Sequence, residues 1–453
     1  MTFSKRHTTD LLSGPLVSGI FLYTIPIIFT NVLQLLFNAA DLVIVGQFCG
    51  SVSVAAVGST SSLTNLMVNF FIGLSIGAGI TVAHGLGSRE DTVVQNTIHT
   101  AIPTALVSGV ALTIVGVCFC RNFLEMMGTP DNVLPLSTVY MQIYFCGSTF
   151  TMVYNFCAAI LRAAGDTKGP LAYLTIAGIV NVILNIFFVT QLDMNVAGVA
   201  LATTISQGIS AVLVVRALMR RTDACRFDIR KMKFHRAQLS KILRLGLPAG
   251  IQSSLFSISN VLIQSSVNSF GDVCMSGSAA SANIEGFVFA IQDSFQQTAV
   301  NFTGQNMGAH KFRRARRILW TCMGCVTVVG MVFGFSAWYF GEQLLSIYIT
   351  DSPTATAYGM VRLGFITLPY FLCGQMNVST GALRGMGASL TPMIISVLGI
   401  CAFRVFWIYT FFQAFHTPEC LFVSYPISWI LTLVAQMIAY FLICRKYPKE
   451  DCT

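Results

Sequence analysis

The chain has 453 residues, 54% of them hydrophobic and 10% charged, with a mean hydropathy of +0.71. A soluble domain carries roughly 25% charged residues, so this composition excludes a soluble enzyme, and it excludes a disordered chain as well. The 27 Lys and Arg exceed the 18 Asp and Glu to give a net charge of +9, which in a soluble protein would suggest nucleic acid but here asks on which side of a membrane the charges lie.

The polar start, with Lys5 and Arg6, runs into a long apolar stretch that reads as a first transmembrane helix and not a cleaved signal. Twelve apolar runs follow one another, at residues 16–40, 54–81, 98–119, 133–160, 170–189 and 196–218, then 242–270, 276–305, 318–340, 355–378, 392–415 and 421–444. A bilayer-spanning helix takes about 20 apolar residues, and runs of this length are too long for barrel strands. The chain is therefore expected to be an all-α polytopic membrane protein, with no soluble ATP-hydrolysing domain. The 14 Cys are scattered through apolar segments and read as small buried hydrophobes, the Cys322/Cys325 pair included.

Placing the N-terminus inside sorts the charges. Of the 27 Lys and Arg, only Arg121 falls outside, Arg362 and Arg404 fall within spans, and the other 24 lie inside. The acids split evenly, so the net charge is a topology signal, with both termini expected to be cytoplasmic. The chain is also a duplication. Leu161-Arg162-Ala163-Ala164-Gly165, ending at Pro170, recurs as Leu383-Arg384-Gly385-Met386-Gly387, ending at Pro392, at a lag of 222 residues. Pro26 matches Pro248 at the same lag. Six spans per copy is an even number, so the two lobes insert in the same orientation and are related by a pseudo-two-fold axis along the membrane normal. The expected division is 1–222 for one lobe, a basic cytoplasmic linker over 223–240, and 241–453 for the other. Such a duplication points to a secondary transporter ahead of a channel, receptor or membrane enzyme. The six His show no enzyme-like spacing, and there is neither a P-loop nor a His-Glu-x-x-His.

Ionisable groups inside a membrane are costly and are functional candidates by default. Here they are Glu285, Asp293, Arg362 and Arg404, with Asp41 just past the first apolar run. From position alone Asp41 reads equally as an interfacial acid. Asn181 and Asn185, four apart, share one helix face; their amide oxygens suit a small cation and equally suit helix–helix hydrogen bonding. Pro26 should kink the first span. Glu285, Gln292 and Gln296 form one stripe on the eighth span, with Asp293 and Gln297 about a quarter-turn round. That stripe is expected to face a watery cavity or the lobe interior, either as a cation-attracting wall or second ion site, or as an internally satisfied polar cluster. Arg404 is expected to pair with an acid or to snorkel.

Phe37-Asn38-Ala39-Ala40-Asp41-Leu42-Val43-Ile44-Val45-Gly46, Gly304-Gln305-Asn306-Met307-Gly308-Ala309 and the paired Leu-Arg-x-x-Gly motifs resemble the MATE family, the multidrug and toxic compound extrusion transporters. The resemblance covers essentially the whole chain. It implies two six-helix lobes in a V around a central cavity and alternating access. It also implies export of organic, often cationic, compounds in exchange for Na+ or H+. Asp41 matches the family's first-span acid, which takes part in ion coupling, and Asn181 its fifth-span Asn. Tyr140 and Thr203 match positions that ring the same pocket. Asn185 stands where many relatives have Asp, which leaves Asp41 as the only obvious acid of that site and leaves open a proton site or a Na+ site at Asp41, Asn181 and Asn185. In relatives, bending at the residue matching Pro26 is tied to occupancy of the acid site. Some relatives keep an acid on the seventh span; 242–270 has none, so their second-lobe chemistry does not carry over, and Glu285 and Asp293 are the candidate substitutes there.

The expected function is thus multidrug efflux by an ion-coupled antiporter, with Na+ or H+ as coupling ion and no other cofactor. Its expected partners are small organic cations and membrane lipid, without nucleic acid, and the expected form is a monomer in a bacterial plasma (inner) membrane. The alternative is a flippase of a lipid-linked precursor with a related fold. A polyanionic head group would want cations in the cavity, and Arg362 and Arg404 stand against Glu285 and Asp293.

Overall fold

The computed structural model describes residues 8–349 and 352–448, and these are helical with no strand among them. The first half holds α1 (Leu16–Phe48), α2 (Ser51–Gly87), α3 (Asp91–Met126), α4 (Leu134–Cys146), α5 (Ser148–Ala163), α6 (Lys168–Thr190) and α7 (Asn195–Met219). The second holds α8 (Arg236–Asn268), α9 (Asp272–Gly308), α10 (Phe312–Tyr339), α11 (Gly341–Ser346), α12 (Pro353–Thr367), α13 (Tyr370–Gly385) and α14 (Leu390–Ser396). A π-helical turn, Val397–Ala402, leads into α15 (Phe403–Tyr409), and α16 (Phe411–Ala414) and α17 (Pro418–Cys444) follow.

Among the described residues eight helical runs are long and apolar enough to cross a membrane, and α4 with α5 would make a ninth, bent by 45°. The three other expected spans fall on α8 and α9, which are long but polar, and on α12–α13, which breaks after Thr367. The bend in the expected fourth span has a local cause. Thr204 Oγ1 donates to the Ile143 carbonyl at 3.1 Å, and the Gly147 N–H turns to Tyr144 instead, at 3.0 Å. A side chain inserted into the helical ladder is a recognised source of such bends. The first span is longer than its apolar run implied, because α1 continues through Asp41 to Phe48.

The duplication is visible in the geometry. α1 and α8 are both 33 residues long, and α2 and α9 both 37. The repeated Leu-Arg-x-x-Gly motif is a helix stop in each copy. The N–H of Gly165 bonds the Arg162 carbonyl and that of Asp166 the Leu161 carbonyl, both at 2.9 Å; Gly387 and Ala388 repeat this on Arg384 and Leu383 at 2.8 and 3.0 Å. This is a Schellman cap, which needs a left-handed residue at the glycine position, and the two glycines have φ of 83° and 87°.

Packing divides the described chain into two units. One comprises Phe29–Ser254 with the residues before Leu11, and the other comprises Leu11–Ile28 with Leu255 onward. This differs from the linear division at residues 223–240: α1 and α8 each change unit shortly after their internal prolines, Pro26 and Pro248. A proline inside a helix denies the carbonyl four residues earlier its donor, so the continuous rods are weakest there. In the second unit Thr24 Oγ1 lies 2.8 Å from Thr298 Oγ1, and Tyr23 meets Phe302 edge-on at 5.4 Å. In the first, α8 and α2 touch backbone to backbone at Gly250 and Gly73. Cys322 and Cys325 sit in an apolar core cluster of the second unit with Ile318, Leu319 and Val326.

The linker is clamped to α3 by a buried histidine. His99 Nδ1 lies 2.7 Å from the Gln95 carbonyl and so bears the proton, which leaves Nε2 to accept the Asp228 N–H at 3.1 Å. Phe227 packs on the same ring at 5.6 Å, and Thr100 Oγ1 accepts the His235 N–H at 3.1 Å. Substituting His99→Leu removes an acceptor worth about 1 kcal/mol. Trypsin should then cut the linker at Arg226, Arg230 and Lys231 several-fold faster; an unchanged cutting rate would refute the clamp.

Candidate functional site

The first unit gathers one acid and its neutral partners from three helices. Asp41 is buried on α1, two turns before the helix ends. It is brought to α6 by the contact one turn earlier, where the Phe37 ring lies on Gly178 so closely that a Cβ there would overlap it. Asn185 Nδ2 donates to Asp41 Oδ1 at 2.5 Å and to Asn181 Oδ1 at 3.2 Å, which uses both of its protons. On α7, Thr203 Oγ1 lies 3.3 Å from Asp41 Oδ2 and 2.9 Å from the Val199 carbonyl, and it accepts from Asn181 Nδ2 at 3.2 Å. The hydroxyl has one proton to share between two acceptors.

One atom of this cluster is left unsatisfied. Asn185 Oδ1 is fully enclosed and receives no donor among the described residues. Buried polar atoms are nearly always hydrogen-bonded, so each exception needs an explanation. The donor set is a carboxylate, two amide oxygens and a hydroxyl, all hard oxygens of the kind small cations take; a proton carried by the carboxyl could equally be donated to Asn185 Oδ1. Tyr140 is buried on α4, stacked on Tyr144 with ring centroids 6.2 Å apart. Tyr144 is absent from the sequence-derived candidates, although its i,i+4 spacing to Tyr140 was a legible signal.

The polar stripe of α9, in the second unit, resolves into three separate environments. Glu285 Oε1 and Oε2 accept from Arg362 Nε and Nη2, each at 2.8 Å, and Arg362 Nη1 donates to Ser278 Oγ at 2.7 Å. Both partners are buried, with the Phe422 ring 5.6 Å from the guanidinium carbon. Glu285 therefore has its countercharge within its own unit. Gln292 is wholly buried, and neither end of its amide is hydrogen-bonded among the described residues. Asp293 is half-buried and accepts from Gln297 Nε2 at 2.8 Å. With its amide oriented to satisfy its neighbours, Gln296 donates to Asp293 Oδ1 at 3.0 Å and accepts from Arg384 Nη1 at 3.2 Å.

Arg404 pairs with no acid among the described residues. It is 5% exposed, donates to Ser428 Oγ at 3.2 Å and lies over the Tyr425 ring. Pro26 sits within an unbroken α1, in the part that packs with the second unit. Among the described residues no three His, Cys, Asp or Glu cluster as a metal centre would require.

Comparison with known proteins places these features in a family. The MatE family profile matches the chain twice, over residues 26–187 and 248–410. The chain is 28% identical to the probable multidrug resistance protein YoeA of Bacillus subtilis (strain 168), over 89% of each. It is 23% identical to the FAD transporter of Shewanella oneidensis, over 86% of this chain and 87% of that protein. Its fold matches the outward-facing structure of a multidrug resistance MATE family transporter of the MOP superfamily, with a TM-score of 0.88 at 20% identity over 97% of both chains.

Proposed function

Because the chain belongs to the MATE family of membrane transporters, we propose that it exports amphipathic organic compounds, organic cations among them, in exchange for Na+ or H+ by alternating access. The observation that carries the ion-coupling part is the Asp41 cluster. It holds one buried carboxylate and an enclosed amide oxygen with no donor, within reach of two further neutral oxygen ligands. A buried charge of this kind is costly unless something neutralises it. In the proposed cycle the ion or proton fills that need, and its binding favours release of the organic compound.

The relatives' names support multidrug efflux as the class of activity. The charge distribution supports cytoplasmic termini, and the relatives from Bacillus subtilis and Staphylococcus aureus support a bacterial plasma membrane. A flippase for a polyanionic lipid would need several unmatched cations, and Arg362 is consumed by Glu285.

The test is made in sealed vesicles containing the purified protein. A Na+ gradient and a pH gradient are imposed separately, and uptake of a fluorescent organic cation is followed. One of the two should drive uptake several-fold above the gradient-free control. Uptake that responds to neither gradient would refute ion coupling.

A further inference from the structure

The second unit contains three buried arginines, and their surroundings differ. Arg362 is matched by Glu285 at 2.8 Å. Arg384 reaches Gln296, which in turn binds Asp293. Arg404 meets no carboxylate within ion-pair distance among the described residues; its protein contacts are the Ser428 hydroxyl and the Tyr425 ring, whose centroid lies 4.0 Å from the guanidinium carbon. Arginine cannot shed its charge in a protein, and an unmatched charge at membrane depth is expensive. A cation–π contact offsets about 2 kcal/mol of that cost while leaving the edges of the guanidinium plane open. The two amino nitrogens have no hydrogen-bond acceptor among the described residues; the one guanidinium hydrogen bond runs from Nε to Ser428.

The backbone around Arg404 is built for the purpose. Arg404 is the second residue after the π-helical turn Val397–Ala402, where Gly399 sits against Thr432 of α17 with no room for a Cβ. Such turns are rare in helices and recur at functional sites. The wider turn also breaks the helical register just before Arg404 and so sets the direction of its side chain.

We propose that Arg404, backed by Tyr425 and Ser428, binds the carboxylate or phosphate oxygens of a transported amphiphile, so that the substrates include organic anions or zwitterions. Two adjacent amino nitrogens in a planar fork match the two oxygens of an oxyanion. A lone ammonium or aromatic cation has nothing to gain at this position. The assignment rests on the transport reading for its biological meaning, but the binding itself does not depend on ion coupling.

The experiment uses the purified full chain in nanodiscs of zwitterionic lipid and measures binding of radiolabelled 1-naphthoate by scintillation proximity, with no gradient present. Competition by unlabelled 1-naphthoate or 1-naphthyl phosphate should be at least about tenfold stronger than by neutral 1-naphthamide, a difference of about 1.4 kcal/mol. The stronger of the two acids identifies the preferred oxyanion. Arg404→Gln should abolish the preference, and Arg404→Lys should keep part of it by keeping the charge. Equal competition by acids and amide in the wild type overturns the proposal, even if the variants do not fold. A preference that survives in Arg404→Gln overturns it too. Gradient-driven cation uptake is measured separately, so failure of the anion site leaves the efflux reading standing, and the reverse also holds.

Discussion

Asp41→Asn should reduce gradient-driven export of a fluorescent cation to the level of vesicles without the protein, a loss of at least about tenfold, equivalent to about 1.4 kcal/mol or more of coupling. The substitution preserves size and keeps an oxygen that can accept from Asn185 Nδ2, which now bonds Asp41 Oδ1 at 2.5 Å. The helices α1, α6 and α7 should therefore stay packed, and the thermal stability of the variant should be close to that of the wild type. What is removed is the only ionisable member of the cluster, since Asn181, Asn185 and Thr203 are neutral. Export at wild-type rates by a folded Asp41→Asn protein would remove Asp41 from the coupling mechanism. The reciprocal variant, Asn185→Asp, places a second carboxylate at hydrogen-bond distance from the first. Two carboxylates this close cannot both stay charged without a cation or a proton between them. If Na+ is the coupling ion, half-maximal export should then require less Na+ than in the wild type.

Much of this arrangement was legible in the sequence, and the parts that were not share a cause. Helix periodicity places Asn181 and Asn185 on one face without any structure, and the lag of 222 residues between the Leu-Arg-x-x-Gly motifs reports the duplication that the two Schellman caps display. The end of the apolar run before Asp41 misled, because hydropathy ends where a charge begins whereas a helix ends where its backbone bonds do. α1 continues to Phe48 because Asn185 and Thr203 satisfy the carboxylate. The split of the α9 stripe could not be read from α9 at all. Glu285 and Gln292 share a helix face, but the partner that distinguishes them, Arg362, is 77 residues away in sequence and follows no periodic rule. Likewise the contacts of Arg404 with Ser428 and Tyr425 are a property of packing between α15 and α17. Local pattern gives the face a residue occupies, and only the tertiary contact says whether its charge is already spent.

That distinction leads to the other large effect. Glu285→Gln should destabilise the purified protein by about 3–5 kcal/mol, the usual consequence of removing one partner from a buried ion pair. Arg362 would keep its charge, its Ser278 contact and one bond to the amide oxygen, but it would lose its countercharge and the second of two 2.8 Å bonds, with an NH2 donor now facing it in a place shielded from water. The loss should appear as a markedly lower midpoint of thermal unfolding in detergent. The double variant Glu285→Leu with Arg362→Met removes both charges together and should recover most of the stability, because the cost of a buried pair lies largely in desolvating its ions. The comparison separates two roles for Glu285. As a packing element it should leave the ion dependence of export unchanged in whatever fraction of the single variant remains folded. If Glu285→Gln instead unfolds at the wild-type temperature while losing its response to the Na+ or pH gradient, the carboxylate is a coupling site and Arg362 is the group that an ion displaces.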